Sequence, residues 1–123
     1  MRAFLINKAI EEAERSDNRF RIGAIIFNKK NVISSGHNCS FRSAKHLIPS
    51  FQKRKHSIHA EVDAIIKART DIKGYSLLVI RLNAKGGLTL SKPCSHCMMY
   101  IEYVGIKNIY YSNNLGEIER IKL

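Results

Sequence analysis

No run of apolar residues in this chain approaches the ~18 that a membrane-spanning helix needs, which excludes an integral helical membrane protein. Cysteine is scarce and odd in number, three in 123 residues. That argues against a disulfide framework and suits a reducing compartment with metal-bound thiolates. Repeats, linkers and low-complexity tracts are absent. The chain therefore reads as one domain over residues 1–123, long enough for one sizeable core and too short for two. The opening residues, Met1 to Asn7, hold too short an apolar stretch for a signal peptide, and a cytoplasmic location is expected, in a cell or an infected host. Acidic residues are the other scarcity: ten Asp and Glu face 21 Lys and Arg, for a net charge of +11. None falls between Asn18 and Ala60, where there are nine Lys or Arg, and none between Ile72 and Ile101. Such a field draws phosphate-bearing ligands, mononucleotide or polynucleotide. A solvated basic surface accounts for the same composition with equal weight.

Hydrophobic periodicity divides the chain into regular elements. Ile6, Ala9, Ile10 and Ala13 recur at helical steps, which predicts an amphipathic helix over Arg2 to Arg15. Arg21 to Phe27 and Val32 to His37 read as two strands of a hairpin around a polar turn. Cys39 to Ser57 shows no period, contains Pro49 and is long for a loop, as a functional insertion would be. His59 to Arg69 reads as a helix with Ala60, Ala64, Ile65 and Ala68 on its packing side. Ser76 to Leu82 is nearly all apolar, as a strand covered on both faces should be. Pro93 suits the first turn of a further helix and Gly105 its end. Asn108 to Ser112 and Glu117 to Lys122 close the chain as strands. This order predicts an α/β fold, a mixed sheet of about five strands with helices on both faces.

The most informative residues are His59-Ala60-Glu61 and, further on, Pro93-Cys94-Ser95-His96-Cys97. One histidine and two cysteines supply three ligands to Zn²⁺ and leave the fourth tetrahedral position open, the mark of a catalytic site rather than a closed structural one. Cys94 and Cys97 stand three apart at a helix start, where the helix dipole and unpaired N–H groups favour anions such as thiolates. Glu61 could move protons beside the metal. On an ideal helix, however, His59 and Glu61 point ~200° apart, so one site can use both only if it lies over the helix end.

The pattern H-x-E…P-C-x-x-C and the element order resemble the zinc-dependent cytidine/deoxycytidylate deaminase superfamily over nearly the whole chain. The resemblance implies a three-layer cytidine deaminase-like fold and one catalytic zinc held by His59, Cys94 and Cys97. It implies hydrolytic attack of water at C4 of a cytosine ring, with Glu61 as the proton carrier. It further implies that Asn38 contacts sugar or base, and that Gly23 and Ala24 let a flat base approach the backbone. The N–H groups of Ala60 and Cys94 and the carbonyl of Lys92 are implied to meet the pyrimidine oxygen, the attacking hydroxyl and the amine. A second, structural zinc on Cys39, His46 and His56, with His37, is weighed and not favoured. The basic insertion with Arg42, Lys45, Lys53, Arg54 and Lys55 is the candidate phosphate contact. A small-molecule nucleotide, dCMP above others, is the leading substrate. A polynucleotide deaminase acting on tRNA adenosine or single-stranded DNA is the rival enzyme, and an idle zinc domain that binds nucleic acid is the rival outside enzymes. A homo-oligomer is left open.

Overall fold

The computed structural model describes residues 1–16, 20–40 and 57–123. Helix α1 (Ala3–Glu14) leads into strands β1 (Arg21–Asn28), β2 (Asn31–His37) and β3 (Cys39–Ser40). The chain resumes with β4 (Ser57–Ile58), α2 (Ala60–Ala68), β5 (Ser76–Leu82) and β6 (Leu88–Thr89), then α3 (Ser95–Tyr103), β7 (Asn108–Ser112) and β8 (Ile118–Lys122). The order expected from the sequence holds, with the short strands β3, β4 and β6 added.

The main sheet runs β2-β1-β5-β7-β8, and β6 pairs with the end of β5. Every pairing is antiparallel except β5 with β7. A parallel pair needs a crossover, and α3 lies within it. Helices cover both faces, giving three layers. On one face Leu5, Ala9 and Ala13 of α1 pack on Ile25, Phe27, Leu78 and Ile80. On the other, Ala60, Ala64 and Ile65 of α2 and Cys97, Tyr100 and Ile101 of α3 pack on Ala24, Ile26, Leu77 and Val79. Alternate residues of β1 and β5 thus enter two cores, so both strands are buried nearly end to end.

Two details differ from the periodicity reading. The buried stripe of α1 is Leu5, Ala9, Glu12 and Ala13, while Ile6 and Ile10 flank it. The stripe therefore contains an acid, whose partner is described below. Pro93 precedes the helix cap, because α3 is capped by Cys94 and begins at Ser95. Gly105 does follow the cap residue Val104, in the left-handed region at φ 86°.

Glycine brings the two helices onto the sheet. A Cβ on Gly23 would lie 2.2 Å from the Ala9 carbonyl oxygen and 2.6 Å from the Ala13 nitrogen of α1. A Cβ on Gly36 would lie 2.4 Å from the Ala64 nitrogen and 2.8 Å from the Ala60 oxygen of α2. In both cases backbone touches backbone, and nothing flexible can yield. Gly23→Ala and Gly36→Ala are therefore expected to cost ~1–3 kcal/mol or more by overpacking. Gly87→Ala, where the new Cβ meets only the Asn83 side chain at 3.2 Å, is expected to stay within ~0.5 kcal/mol. Urea unfolding midpoints at unchanged slope check the contrast.

Candidate active site

His59 is the N-cap of α2 and has extended backbone, φ −75° and ψ 153°. Cys94 holds the same place before α3, φ −70° and ψ 167°. Cys97 lies in the first turn of α3 and is buried. The two helix starts converge. His59 Nδ1 is 3.1 Å from Cys97 Sγ and 4.0 Å from Cys94 Sγ, and the three donor atoms all lie within 4.8 Å of one another. Zn–N and Zn–S bonds of ~2.0–2.3 Å in a tetrahedron give donor separations of ~3.5–3.8 Å. The observed distances straddle that range, and the donors are the nitrogen and thiol types zinc prefers, so this set fits one zinc ion. Among the described residues no fourth His, Cys, Asp or Glu joins the group. Three protein donors suit a metal that works on a water or substrate.

The angular difficulty between His59 and Glu61 disappears in this geometry. His59 precedes the helix with extended backbone, so helical spacing does not govern the pair. Glu61 sits in the first turn of α2 with its side chain buried, 4% exposed. A carboxylate is rarely taken out of water without a partner or a task.

Asp63 was not foreseen as part of this region. It is equally buried, accepts a hydrogen bond from the His37 N–H at 3.1 Å, and pairs with Lys67 Nζ at 2.9 Å. The His37 ring in turn places Nδ1 3.2 Å from Oε1 of the buried Glu12. A polar chain thus runs from α1 through the end of β2 to the first turn of α2. The signal for it was present: Asp63 stands three residues after Ala60, on the otherwise apolar packing side of the helix.

Asn38 follows β2 and is buried. Its Oδ1 accepts from the Ile22 N–H at 3.0 Å, and its Nδ2 donates to the Phe20 carbonyl. The side chain therefore ties β2 to the start of β1 in this structure. The next residues pair as Cys39↔Ile58 and Ser40↔Ser57, which sets Asn38 alongside His59. Ala24 and Ala60 are fully buried in one core cluster. Gly23 has a packing reason of its own, its contact with α1. Lys92 is exposed, two residues before Cys94. Arg42, Lys45, Lys53, Arg54 and Lys55, with His46 and His56, lie outside the described residues, and so does the side chain of Cys39. A cavity of about 660 Å³ opens elsewhere, between Ile65, Asp71, Lys73 and Tyr103, and contains none of the site residues. Donor chemistry, not cavity size, marks the centre. In α3, burial and then the neighbouring Tyr103 push the Tyr100 hydroxyl above its ordinary range, which keeps it neutral.

The family described as the cytidine and deoxycytidylate deaminase zinc-binding region matches residues 2–113. No curated protein matches the sequence. Among solved structures, the dCMP deaminase of cyanophage S-TIM5, in complex with dCMP and dUMP, superposes with TM-score 0.58 at 22% identity, over 93% of this chain and 85% of that one. The cytidine deaminase of Burkholderia pseudomallei superposes with TM-score 0.69 at 18% identity, over 99% and 93%. A diaminohydroxyphosphoribosylaminopyrimidine deaminase/5-amino-6-(5-phosphoribosylamino)uracil reductase of Thermotoga maritima gives 0.59 at 22%, over 90% of this chain and 29% of that one. At these identities the likeness is one of fold.

The purified chain is expected to carry one zinc. Cys94→Ala and Cys97→Ala are expected to lose it and to unfold more easily, because the ligands join two helices and metal binding energy adds to folding energy. Elemental analysis with thermal melting before and after chelation checks this. Full zinc content in Cys97→Ala would overturn the ligand set.

Proposed function

The chain belongs to the cytidine and deoxycytidylate deaminase family, zinc-dependent deaminases, and from that premise we propose that it hydrolyses a cytosine nucleotide, dCMP before others, to the uracil nucleotide and ammonia. The observation that carries the reading is the pair of helix starts that brings His59, Cys94 and Cys97 together with Glu61 buried in the adjoining turn. A zinc ion held by these three residues supplies Lewis acidity that brings the pKa of water toward ~7. Glu61 takes a proton from the attacking water and gives it to ring N3, then takes the remaining proton of the C4 hydroxyl and passes it to the departing amine. The C4–O bond forms, the C4–N bond breaks, and ammonia leaves. The Ala60 and Cys94 N–H groups belong to helix starts, where the first N–H groups have no intrahelical acceptor. We assign them to the pyrimidine oxygen and the attacking hydroxyl, and the Lys92 carbonyl to the amine. Asn38 contacts the sugar or base, and Gly23 and Ala24 border the ring.

The preference for a nucleotide is supported by charge and by position. The net charge is +11, and Arg42, Lys45, Lys53, Arg54 and Lys55 fall in sequence between β3 and β4, whose ribbon lies beside His59. The cyanophage protein that resembles this chain is a dCMP deaminase. One observation favours the unphosphorylated nucleoside instead: the cytidine deaminase superposes better, 0.69 against 0.58. A cytoplasmic setting suits Cys94 and Cys97 acting as metal ligands rather than as a disulfide.

Ammonia release from cytidine, deoxycytidine, CMP, dCMP, tRNA and single-stranded DNA tests the reading, with dCMP expected to be turned over best. Equal kinetics for dCMP and deoxycytidine would remove the nucleotide preference. Glu61→Ala is expected to keep zinc and fold while its rate falls by ~10² or more. Loss of charge at one or two of Arg42, Lys45, Lys53, Arg54 and Lys55 is expected to raise KM for dCMP ~10- to 100-fold and to leave deoxycytidine unchanged.

A further inference from the structure

Arg81 is the lone charged residue of β5. Its Nε is buried and has no hydrogen-bond partner among the described residues. Its guanidinium carbon stands 4.4 Å from the centroid of the Phe20 ring. A cation stacked on an aromatic ring is stabilised and held flat. The stack leaves the planar edge of the guanidinium, with its remaining donors, for another group. Native structures keep few buried donors unpaired, and one on a cation is among the costlier.

The register gives Arg81 its place. It pairs with Ile22 of β1, and it lies two residues beyond Val79, which belongs to the core shared with Ala60 and Cys97. Side chains two apart on a strand share a face. Arg81 therefore rises on the metal-bearing face of the sheet, at the end of β5 from which the chain leads to Cys94. Its neighbours connect to the site as well, since Phe20 and Ile22 are the two residues that hold the Asn38 amide. A cavity of about 270 Å³ opens here, lined by Phe20, Arg21, Arg81, Leu82, Asn83 and Ala84. Two of its six lining residues are arginines and none is acidic. One Arg21 nitrogen is already engaged, donating to the Asn83 carbonyl at 2.9 Å. The group that suits such a lining is a small, multivalent oxyanion, which a planar guanidinium binds through two parallel hydrogen bonds.

We propose that Arg81, stacked on Phe20 and aided by Arg21, is the specificity-determining residue that holds the phosphate of a sugar-phosphate substrate. This rests on the nucleotide reading above, and it adds Arg81 as a phosphate contact to the one or two expected among Arg42, Lys45, Lys53, Arg54 and Lys55.

A base-free probe separates the two ideas. Binding of 2-deoxyribose 5-phosphate and of 2-deoxyribose to the zinc-loaded chain is measured by calorimetry, alongside Arg81→Gln and Arg81→Lys. The arginine Nε–H resonance that Arg81→Gln removes is followed in the native chain during the phosphate titration. The native protein is expected to bind the phosphate ester detectably tighter than the plain sugar. Arg81→Gln is expected to weaken the ester ~10- to 100-fold, and Arg81→Lys to recover part of that, with zinc content unchanged. The Nε–H resonance is expected to shift with saturation. An ester affinity unchanged in Arg81→Gln, or an unmoved resonance at saturation, overturns the proposal even if dCMP is deaminated. A lost ester affinity with no deamination of dCMP supports the phosphate site and rejects the cytosine reading.

Discussion

A single parallel pairing, β5 against β7, organises this molecule. Among the described strands it is the one neighbouring pair that runs parallel and so must be joined by a crossover, and α3 forms in that crossover. The helix N-terminus then falls at the carboxyl end of β5, the end where ligands gather in open sheets with parallel strands. That topology sets Cys94 and Cys97 where their sulfurs meet the His59 ring. The second helix start arrives differently. Gly36 lets α2 rest directly on β2, and the His37–Asp63 bond fixes its first turn. Two independent devices thus bring two helix starts to one point, and the three donor atoms are the residues found there.

Much of this was legible in the sequence. The long elements carry strong periods, and the H-x-E and C-x-x-C pairs name the donors. Legibility failed where the period was too short to exist. Strands β3, β4 and β6 are two residues each, and their pairing depends on which segments the fold brings together. Cap positions were also hidden, because a residue just outside a helix obeys no helical angle. That is why His59 and Glu61 seemed incompatible on a helical wheel. Pro93 misled for the same reason, since proline suits the residues just before a helix as well as its first turn.

The buried polar residues were the least readable part. Glu12, His37 and Asp63 each look like local exceptions to an apolar stripe, and only the folded arrangement shows that they complete one another. Ser91 is similar. Its hydroxyl donates to the Val79 carbonyl at 2.8 Å and lies 2.9 Å from the Ser112 hydroxyl, fixing the path from β6 toward Cys94 between β5 and β7. Such groups cost stability when unmatched, so each requires its partner at a set distance, and together they specify one arrangement of the site rather than several.

The β3–β4 ribbon has an evolutionary consequence. By joining Cys39 to Ile58 and Ser40 to Ser57, it ties the chain together at the two ends of the segment 41–56, next to the frame that carries the donors. Closing a longer loop is inexpensive, about 0.6 kcal/mol for each doubling of length. Descendants of such a chain can therefore lengthen, shorten or rewrite that segment while the metal frame stays constant. The ribbon works as a socket for interchangeable cassettes, through which one inherited chemistry can be redirected to new substrates without being rebuilt.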